Sequence, residues 1–459
     1  MGGILSIQNI RKGVNQCMSE RTFVGGIHPS YSKEYTAGIP ITSARPPSQV
    51  IIPLHQNIGA PCEPVVEVGD EVKLGQKIGE PKGFVSAPVF ASVSGKVTKI
   101  EPYNHPLGNP VEAVFIESDG QDTPFEGMEP NKPLEQLTVD ELKTIAKEAG
   151  LVGLGGATFP THVKLAPPPE TSIDTVIING AECEPFLTAD HRLMLEYADD
   201  IVYGLMAFMK ALGAKKGIIG IEDNKPDALQ SMEKAVSEGK GEYDIEVHAL
   251  HTKYPQGAEK MLIKATTGRE VPTGALPMAV NVVNQNVGTA VAMTEAIKLG
   301  KPLYERVVTI TGPGISQPAN LMVRNGTLIS DIIEQCGGMT DDARKLILGG
   351  PMMGLAQPST DVPAIKGTSG VLILTEEFVE ELPIDPCIKC GKCLEGCPMN
   401  LPANFIGSAS EMGKMDLAER YGAMDCFECG CCTYTCPAKR PLVQWIKIAK
   451  GEITASRKK

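Results

Sequence analysis

The alternation of apolar and polar positions divides the chain into four stretches. Up to about residue 130 the apolar positions come in short runs: Val68-Gly69-Asp70-Glu71-Val72, Gly75-Gln76-Lys77-Ile78-Gly79, Ser86-Ala87-Pro88 and Ser94-Gly95-Lys96-Val97. Gly and Asp between such runs predict short strands joined by tight turns. The charged stretch from Glu126 to Pro133 reads as a linker. From about 134 to 300, apolar strand candidates alternate with amphipathic helices. Ile173 to Ile178, Lys216 to Ile221 and Ile245 to Leu250 read as strands. Asp190 to Leu212 carries Leu193, Tyr197, Ile201, Leu205 and Phe208 at helical intervals, and Pro226 to Ser237 is a helix opened by proline. Such alternation predicts an α/β layered fold. A third stretch has Val307 to Thr311, the turn Gly312-Pro313-Gly314, a helix near Leu328 to Cys336 and strands near Leu346 and Val371. The last begins near 377 and closes on an amphipathic segment around Leu442 to Ile448. The expected units are 1–133, 134–302, 303–376 and 377–459.

A chain of 459 residues has room for three or four domains. No apolar run approaches the length of a membrane span. The opening MGGILSIQNIRKGVNQ lacks the long apolar core and small-residue cleavage site of a secretory signal. The net charge of −12 argues against a nucleic-acid partner. That charge is uneven: from Cys387 onward eight Lys and three Arg face five Glu and two Asp, a balance of +4. Positive charge there suits either a solvated helical surface or the steering of an acidic ferredoxin.

The cysteines change the picture most. Cys387, Cys390, Cys393 and Cys397 precede Pro398, and Cys426, Cys429, Cys432 and Cys436 precede Pro437. Each run is C-x2-C-x2-C-x3-C-P, the bacterial ferredoxin spacing for a [4Fe-4S] cubane, in which the fourth Cys ligates the other cluster. The expected sets are Cys387, Cys390, Cys393 and Cys436 for one cluster, and Cys426, Cys429, Cys432 and Cys397 for the second. Structural zinc is the competing assignment for C-x2-C pairs, and two complete ferredoxin runs weigh against it. Of the 13 cysteines eight sit in these motifs, which points to a reducing cytoplasm. Cys17, Cys62, Cys183, Cys336 and Cys431 are expected to be free thiols, buried in the fold.

A second signal is Gly153-Leu154-Gly155-Gly156-Ala157-Thr158-Phe159-Pro160. Adjacent glycines let backbone N–H groups approach a phosphate, although a plain tight turn would use the same residues. Lys164 supplies a cation a few residues on. Asn179 and Glu182-Cys183-Glu184-Pro185 follow the carboxyl end of a strand, where α/β folds bind ligands.

These residues carry a resemblance. Gly153-x-Gly155-Gly156-Ala157-x-Phe159-Pro160-Thr161-x-x-Lys164, Asn179-x-x-Glu182-x-Glu184-Pro185, Tyr254-x-x-Gly257-x-Glu259 and Asn284-x-Asn286-x-x-Thr289 are similar to the flavin-carrying, NADH-oxidising subunit of respiratory complex I. The first stretch resembles the biotinyl/lipoyl type of barrel-sandwich domain, with no Ala-Met-Lys-Met carrier sequence. The whole chain resembles the RnfC family of the Rnf ion-translocating oxidoreductases, and Gly25-Gly26-Ile27-His28-Pro29 and Thr188-Ala189-Asp190-His191-Arg192 match that family as well. The resemblance implies a multidomain α/β and β protein: a barrel-sandwich hybrid, a complex I-like Rossmann-type flavin domain, a β-grasp (SLBB) domain and a helical two-cluster ferredoxin domain.

It also implies noncovalent FMN on the 153–160 loop, Lys164, Asn179, Glu182 and the Asn286/Thr289 segment, and NAD(H) stacked on Phe159. Glu184 and Glu259 would lie near the nicotinamide, with Tyr254 in the same motif set. For Glu184 the competing role is capping a helix N-terminus. Relative to the complex I pattern, Leu154 replaces an Arg, Thr158 a Gly, Ala181 an Asp and Ala258 a Glu, which implies weaker FMN binding. The implied function is a peripheral subunit on the cytoplasmic face of the membrane, exchanging electrons between NAD(H), FMN and two [4Fe-4S] clusters. Integral membrane and iron–sulfur subunits, and ferredoxin, are the implied partners, with electron flow coupled to Na+ or H+ translocation. Two other readings fit the modules: a soluble flavin/iron–sulfur reductase such as a microcompartment cobalamin reductase, and a cluster-only electron wire.

Overall fold

The computed structural model describes residues 21–379 and 383–457; Cys17 and the opening segment lie outside them. The short apolar runs of the first stretch form two antiparallel sheets. One pairs Gln49–Pro53, Val111–Ser118, Gly95–Tyr103 and Glu71–Val72, the other Cys62–Pro64, Lys77–Pro81 and Val89–Phe90. Val50, Ile52, Ile78, Val97, Val114 and Ile116 fill the space between them.

The α/β stretch builds a parallel sheet in the order Asp244–Leu250, Lys216–Glu222, Thr175–Gly180, Val282–Asn286. Its edge strand, Val282–Asn286, was not expected, because three of its five residues are Asn or Gln. The single helix expected over 190–212 is two, Ala189–Glu196 and Ala198–Leu212, divided where Tyr197 leaves helical geometry at φ −129°. The second of these crosses Val287–Leu299 closely at Gly204, where a Cβ would lie 2.2 Å from the Ala290 carbonyl oxygen. Only glycine permits that approach.

The third stretch forms a mixed six-stranded sheet, ordered Ile41–Ser43, Ala319–Arg324, Glu305–Thr311, Gly370–Thr375, Ala343–Leu348, Leu355–Gln357, with helix Ile329–Gln335 against it. Its edge strand comes from far upstream. Residues 21–43, which the sequence places in the first unit, run as a strap across the carboxyl end of the parallel sheet. Ile27 pairs with Tyr254, the Phe186 N–H donates to the Tyr31 carbonyl (2.8 Å), and Ile41–Ser43 pairs in parallel with Asn320–Met322.

The last stretch is helical. Leu442, Val443, Ile446, Ala449 and Ile453 of helix Leu442–Arg457 pack on Ala403, Ile406, Ala409 and Ala418. The closing amphipathic segment thus covers the core of its own unit.

Candidate functional site

The glycine loop leaves its unit through two backbone bonds, Gly153 N–H to the Phe159 carbonyl (2.9 Å) and Thr158 N–H to the Gly153 carbonyl (3.1 Å). Gly155, Gly156 and Ala157 are exposed at its crest and Phe159 is half-buried. Gly156 sits at φ +119°, and a Cβ there would meet nothing within 4 Å. The conformation needs glycine, and the space above it is free for a ligand. Three units support the loop from behind. The Thr289 hydroxyl accepts from Leu154 N–H (3.0 Å) and donates to the Val152 carbonyl (3.1 Å). Arg306, at the start of its strand, donates to the Leu154 carbonyl (3.1 Å) and the Lys366 carbonyl (2.6 Å). Ile58 N–H, from the first unit, donates to the Thr158 carbonyl (3.2 Å).

Around this crest stand polar groups from the sheet's carboxyl end. Lys164 Nζ donates to the Asn284 carbonyl (2.8 Å) and to Glu259 (3.0 Å), the first residue of helix Glu259–Thr267. Asn179 receives Ala181 N–H (3.1 Å) and donates to the Gly257 carbonyl (2.9 Å), tying the strand end to the 254–259 turn. Asn286 caps helix Val287–Leu299 through Gly288 N–H (2.8 Å) and donates to Asp190 (2.7 Å). Burial pushes the Asp190 carboxyl up to about 7, helped by the Glu182 charge and opposed by Asn286 and Arg306. Burial brings Arg306 down to about 10, with Asp190 opposing.

The Asn284 side-chain oxygen and both amide atoms of Gln256 are buried without a partner. Buried polar atoms ordinarily have one. Unpartnered acceptors and donors beside a free cradle of backbone N–H groups fit a flavin mononucleotide.

Three of the expected residues are engaged elsewhere. Glu182 accepts from Asp190 N–H (2.7 Å) and His191 N–H (3.2 Å), so the helix cap weighed for Glu184 falls to Glu182. Glu184 accepts instead from Met352 N–H (3.1 Å) and Met353 N–H (2.8 Å) of the third unit. Tyr254 is buried, and its hydroxyl donates to the Cys429 carbonyl (2.9 Å). The sequence reading also missed Lys33, whose ammonium donates to the carbonyls of Glu182 (2.8 Å), Glu184 (3.1 Å) and Leu187 (2.6 Å). Nothing local marks Lys33 or Arg306, since each acts across long stretches of sequence.

The motif cysteines fall into two groups. Cys387, Cys390, Cys393 and Cys436 line one cavity, with Cys387 and Cys390 exposed. In the other group, burial pushes the Cys432 thiol up to about 12, and the charges of Cys426, Cys429 and Cys397 push it the same way. Each set draws three thiols from one run and the fourth from the other. A [4Fe-4S] cubane is held by four Cys thiolates, and each set supplies four, so the two sets fit such clusters. Cys62, Cys183, Cys336 and Cys431 are buried free thiols.

Four family models match parts of the chain. Residues 21–121 match the RnfC barrel sandwich hybrid domain, 146–295 the Nuo51 FMN-binding domain, 307–356 the SLBB domain and 383–437 a 4Fe-4S dicluster domain. The chain is 52% identical to the C subunit of the Na(+)-translocating ferredoxin:NAD(+) oxidoreductase complex of Acetobacterium woodii, over 95% of this chain and 98% of that protein. It is 50% identical to the proton-translocating counterpart of Clostridium ljungdahlii, over 95% of each. With the C subunit of the ion-translocating oxidoreductase complex of Rhodobacter capsulatus it shares 41% identity, over 94% of this chain and 83% of that one. The chain therefore belongs to the RnfC family, the C subunits of the ion-translocating oxidoreductase (Rnf) complexes.

Proposed function

We propose that the chain exchanges electrons between NAD(H) and the rest of an ion-translocating ferredoxin:NAD+ oxidoreductase complex, as a peripheral subunit on the cytoplasmic face of the membrane. Its cofactors are FMN and two [4Fe-4S] clusters, with NAD(H) as substrate. No helix among the described residues is long and apolar enough to cross a membrane. Translocation of Na+ or H+ is assigned to integral membrane partner subunits, and ferredoxin to the complex as a whole.

Bound FMN supplies the exchange between two-electron hydride transfer and the single electrons that clusters carry. In this reading Gly155 and Gly156 present backbone N–H groups to its phosphate, Gly153 closes the loop through its bond to Phe159, and Lys164, Asn179 and Asn286 orient it. Phe159 gives the nucleotide an apolar face, and Glu259 holds the Lys164 ammonium in place. Glu182 and Thr289 act indirectly, the first fixing the turn after the strand and the second fixing the loop. The free space over Gly156, with unpartnered Asn284 and Gln256 below the sheet's end, supports the flavin position.

One observation carries the reading: the Cys429 loop is bonded directly to the glycine-loop unit through Tyr254, while Cys387 and Cys390 are exposed. Cys397, Cys426, Cys429 and Cys432 would then hold the inner cluster, the one that exchanges electrons with the flavin side, and Cys387, Cys390, Cys393 and Cys436 would hold the outer cluster, the one that faces a partner. The test is anaerobic titration with NADH, following flavin absorbance and cluster EPR, with and without added FMN. Bleaching of the flavin followed by cluster reduction is the expected result. Eight irons with no reduction by NADH, even with FMN supplied, would leave only a cluster relay.

A further inference from the structure

The inner cluster's binding loops are gripped at three places by the rest of the chain. Tyr254, 1% exposed, donates its only hydroxyl proton to the Cys429 carbonyl at 2.9 Å. Its own backbone is locked by reciprocal bonds with Ile27, both 2.8 Å. The second grip runs through Glu184, whose two oxygens accept from Met352 and Met353 N–H. That loop is pressed close to the carboxylate, since a Cβ on Gly350 would lie 2.2 Å from a Glu184 oxygen. Its Met352 carbonyl lies over Gly430, 3.1 Å from where a Cβ would be. The third grip is the strap: Gly26 N–H donates to the Gly396 carbonyl (3.2 Å), and Gly25 leaves a Cβ no room beside the Cys397 carbonyl (2.7 Å).

Cys429 and Cys397 are ligands of the inner cluster, and Gly430 follows one of them. None of these three grips is on Cys387, Cys390 or Cys393. The resemblance puts Glu184 near the nicotinamide and Tyr254 among the cofactor-binding residues. Yet the Tyr254 donor is taken, and so are both Glu184 oxygens.

We propose that Tyr254 and Glu184 are positioning residues of the electron path: they fix the Cys429-Gly430 loop against the flavin unit and set the inner cluster's potential. The proposal rests on the functional reading above for the existence of that path. No bond is made or broken at either residue; a single electron passes between flavin and cluster while the two side chains hold the distance. The Tyr254 hydroxyl also directs the positive end of its dipole at a ligand loop. Hydrogen bonding and solvent exposure around a cluster tune its potential, and this donor favours the more negative, reduced cluster.

Tyr254→Phe keeps the ring in its pocket and deletes only the donor. The holoprotein, with iron and FMN contents measured, is examined in two ways. A dithionite titration followed by EPR gives both cluster midpoints, and rapid mixing with NADH separates flavin bleaching from cluster reduction. Expected are flavin bleaching within about twofold of wild type, inner-cluster reduction about tenfold slower, and an unmoved outer midpoint. The inner midpoint should become more negative by up to tenfold in the reduced-to-oxidised ratio, about 59 mV for a one-electron couple. Glu184→Gln should slow the same step.

Slower flavin bleaching or weaker NADH binding with unchanged clusters would overturn the proposal and return Tyr254 to the nucleotide site. No change in any of these would overturn it too, leaving Tyr254 as packing. If NADH fails to bleach flavin in the wild type, the functional reading falls alone, and the dithionite titration still decides Tyr254.

Discussion

The two cysteine runs have the same spacing and nearly the same backbone, and they live in different surroundings. Lys389 and Glu428 occupy matching positions at φ +58° and +65°, and Gly391 and Gly430 at +83° and +81°. Ligating a cubane fixes that much. The residues between the ligands then diverge. Ile388 is 68% exposed, whereas its counterpart Phe427 packs with Ile27, Tyr254 and Met352. Lys389 and Lys392 face solvent. Glu428, in contrast, is paired with Lys450 (2.6 Å), and Cys431 is buried beside the Tyr254 carbonyl. One run is built to be touched from outside and the other to be held from inside. Ligand spacing specifies the cluster, and the intervening residues specify its neighbour.

The largest effects should come from removing one ligand on each side of that comparison. Cys390→Ala should lower iron from about eight to about four per chain, as expected for loss of one [4Fe-4S] cluster. The remaining inner cluster should still be reduced by NADH, while transfer to an external acceptor fails. Cys429→Ala should show the same iron loss with the opposite consequence, flavin bleaching with no cluster reduced. Identical behaviour of the two variants in iron analysis and single-turnover kinetics would erase the inner/outer distinction.

A smaller effect concerns only the inner side. Burial pushes the Glu184 carboxyl up to about 7, against the Met352 and Met353 N–H groups and Lys33, which lower it. The folded state therefore holds this proton where the unfolded chain has already released it. The contribution to stability is fully present below the ordinary carboxyl range and is lost as pH rises through about 7. A shift of this size corresponds to about 3 kcal/mol. Asp190 is raised in the same direction, so Glu184→Gln should remove only its own share of the slope. Denaturant unfolding between pH 5 and 8 measures it, and an unchanged slope in the variant would show that Glu184 ionises normally.

Much of this was legible in the sequence because chemistry imposes the spacing. The eight ligands, the glycine loop and the alternation of strands with helices all announce themselves locally. The Val282–Asn286 strand did not: Asn284, Gln285 and Asn286 stand where the apolar residues by which a buried strand is recognised would be. The strap carries the Gly25–Pro29 match, but its course was hidden for another reason, since the contacts of Lys33 and Ile27 form only beside Glu182 and Tyr254. Motif matching singled out Tyr254 and Glu184. What their polar atoms reach depends on packing between units, which a motif does not encode.

The smallest effect separates two adjacent thiols. Cys432 occupies the position equivalent to Cys393, and both belong to the helical core of the last unit. Cys431, where the outer run has Lys392, belongs to the cluster of Ile27, Cys183 and Tyr254, on the side of the flavin unit. A single turn of helix, Cys431–Tyr434, points neighbouring side chains in different directions, so the two sulfurs cannot exchange duties without unwinding it. Cys431→Ala should therefore keep all eight irons and cost about 1 kcal/mol, an ordinary value for trimming a buried side chain. Cys432→Ala should lose four. Loss of four irons from Cys431→Ala, with Cys432→Ala intact, would reverse the assignment and place the inner cluster's third thiolate toward Tyr254 instead of toward the helical core.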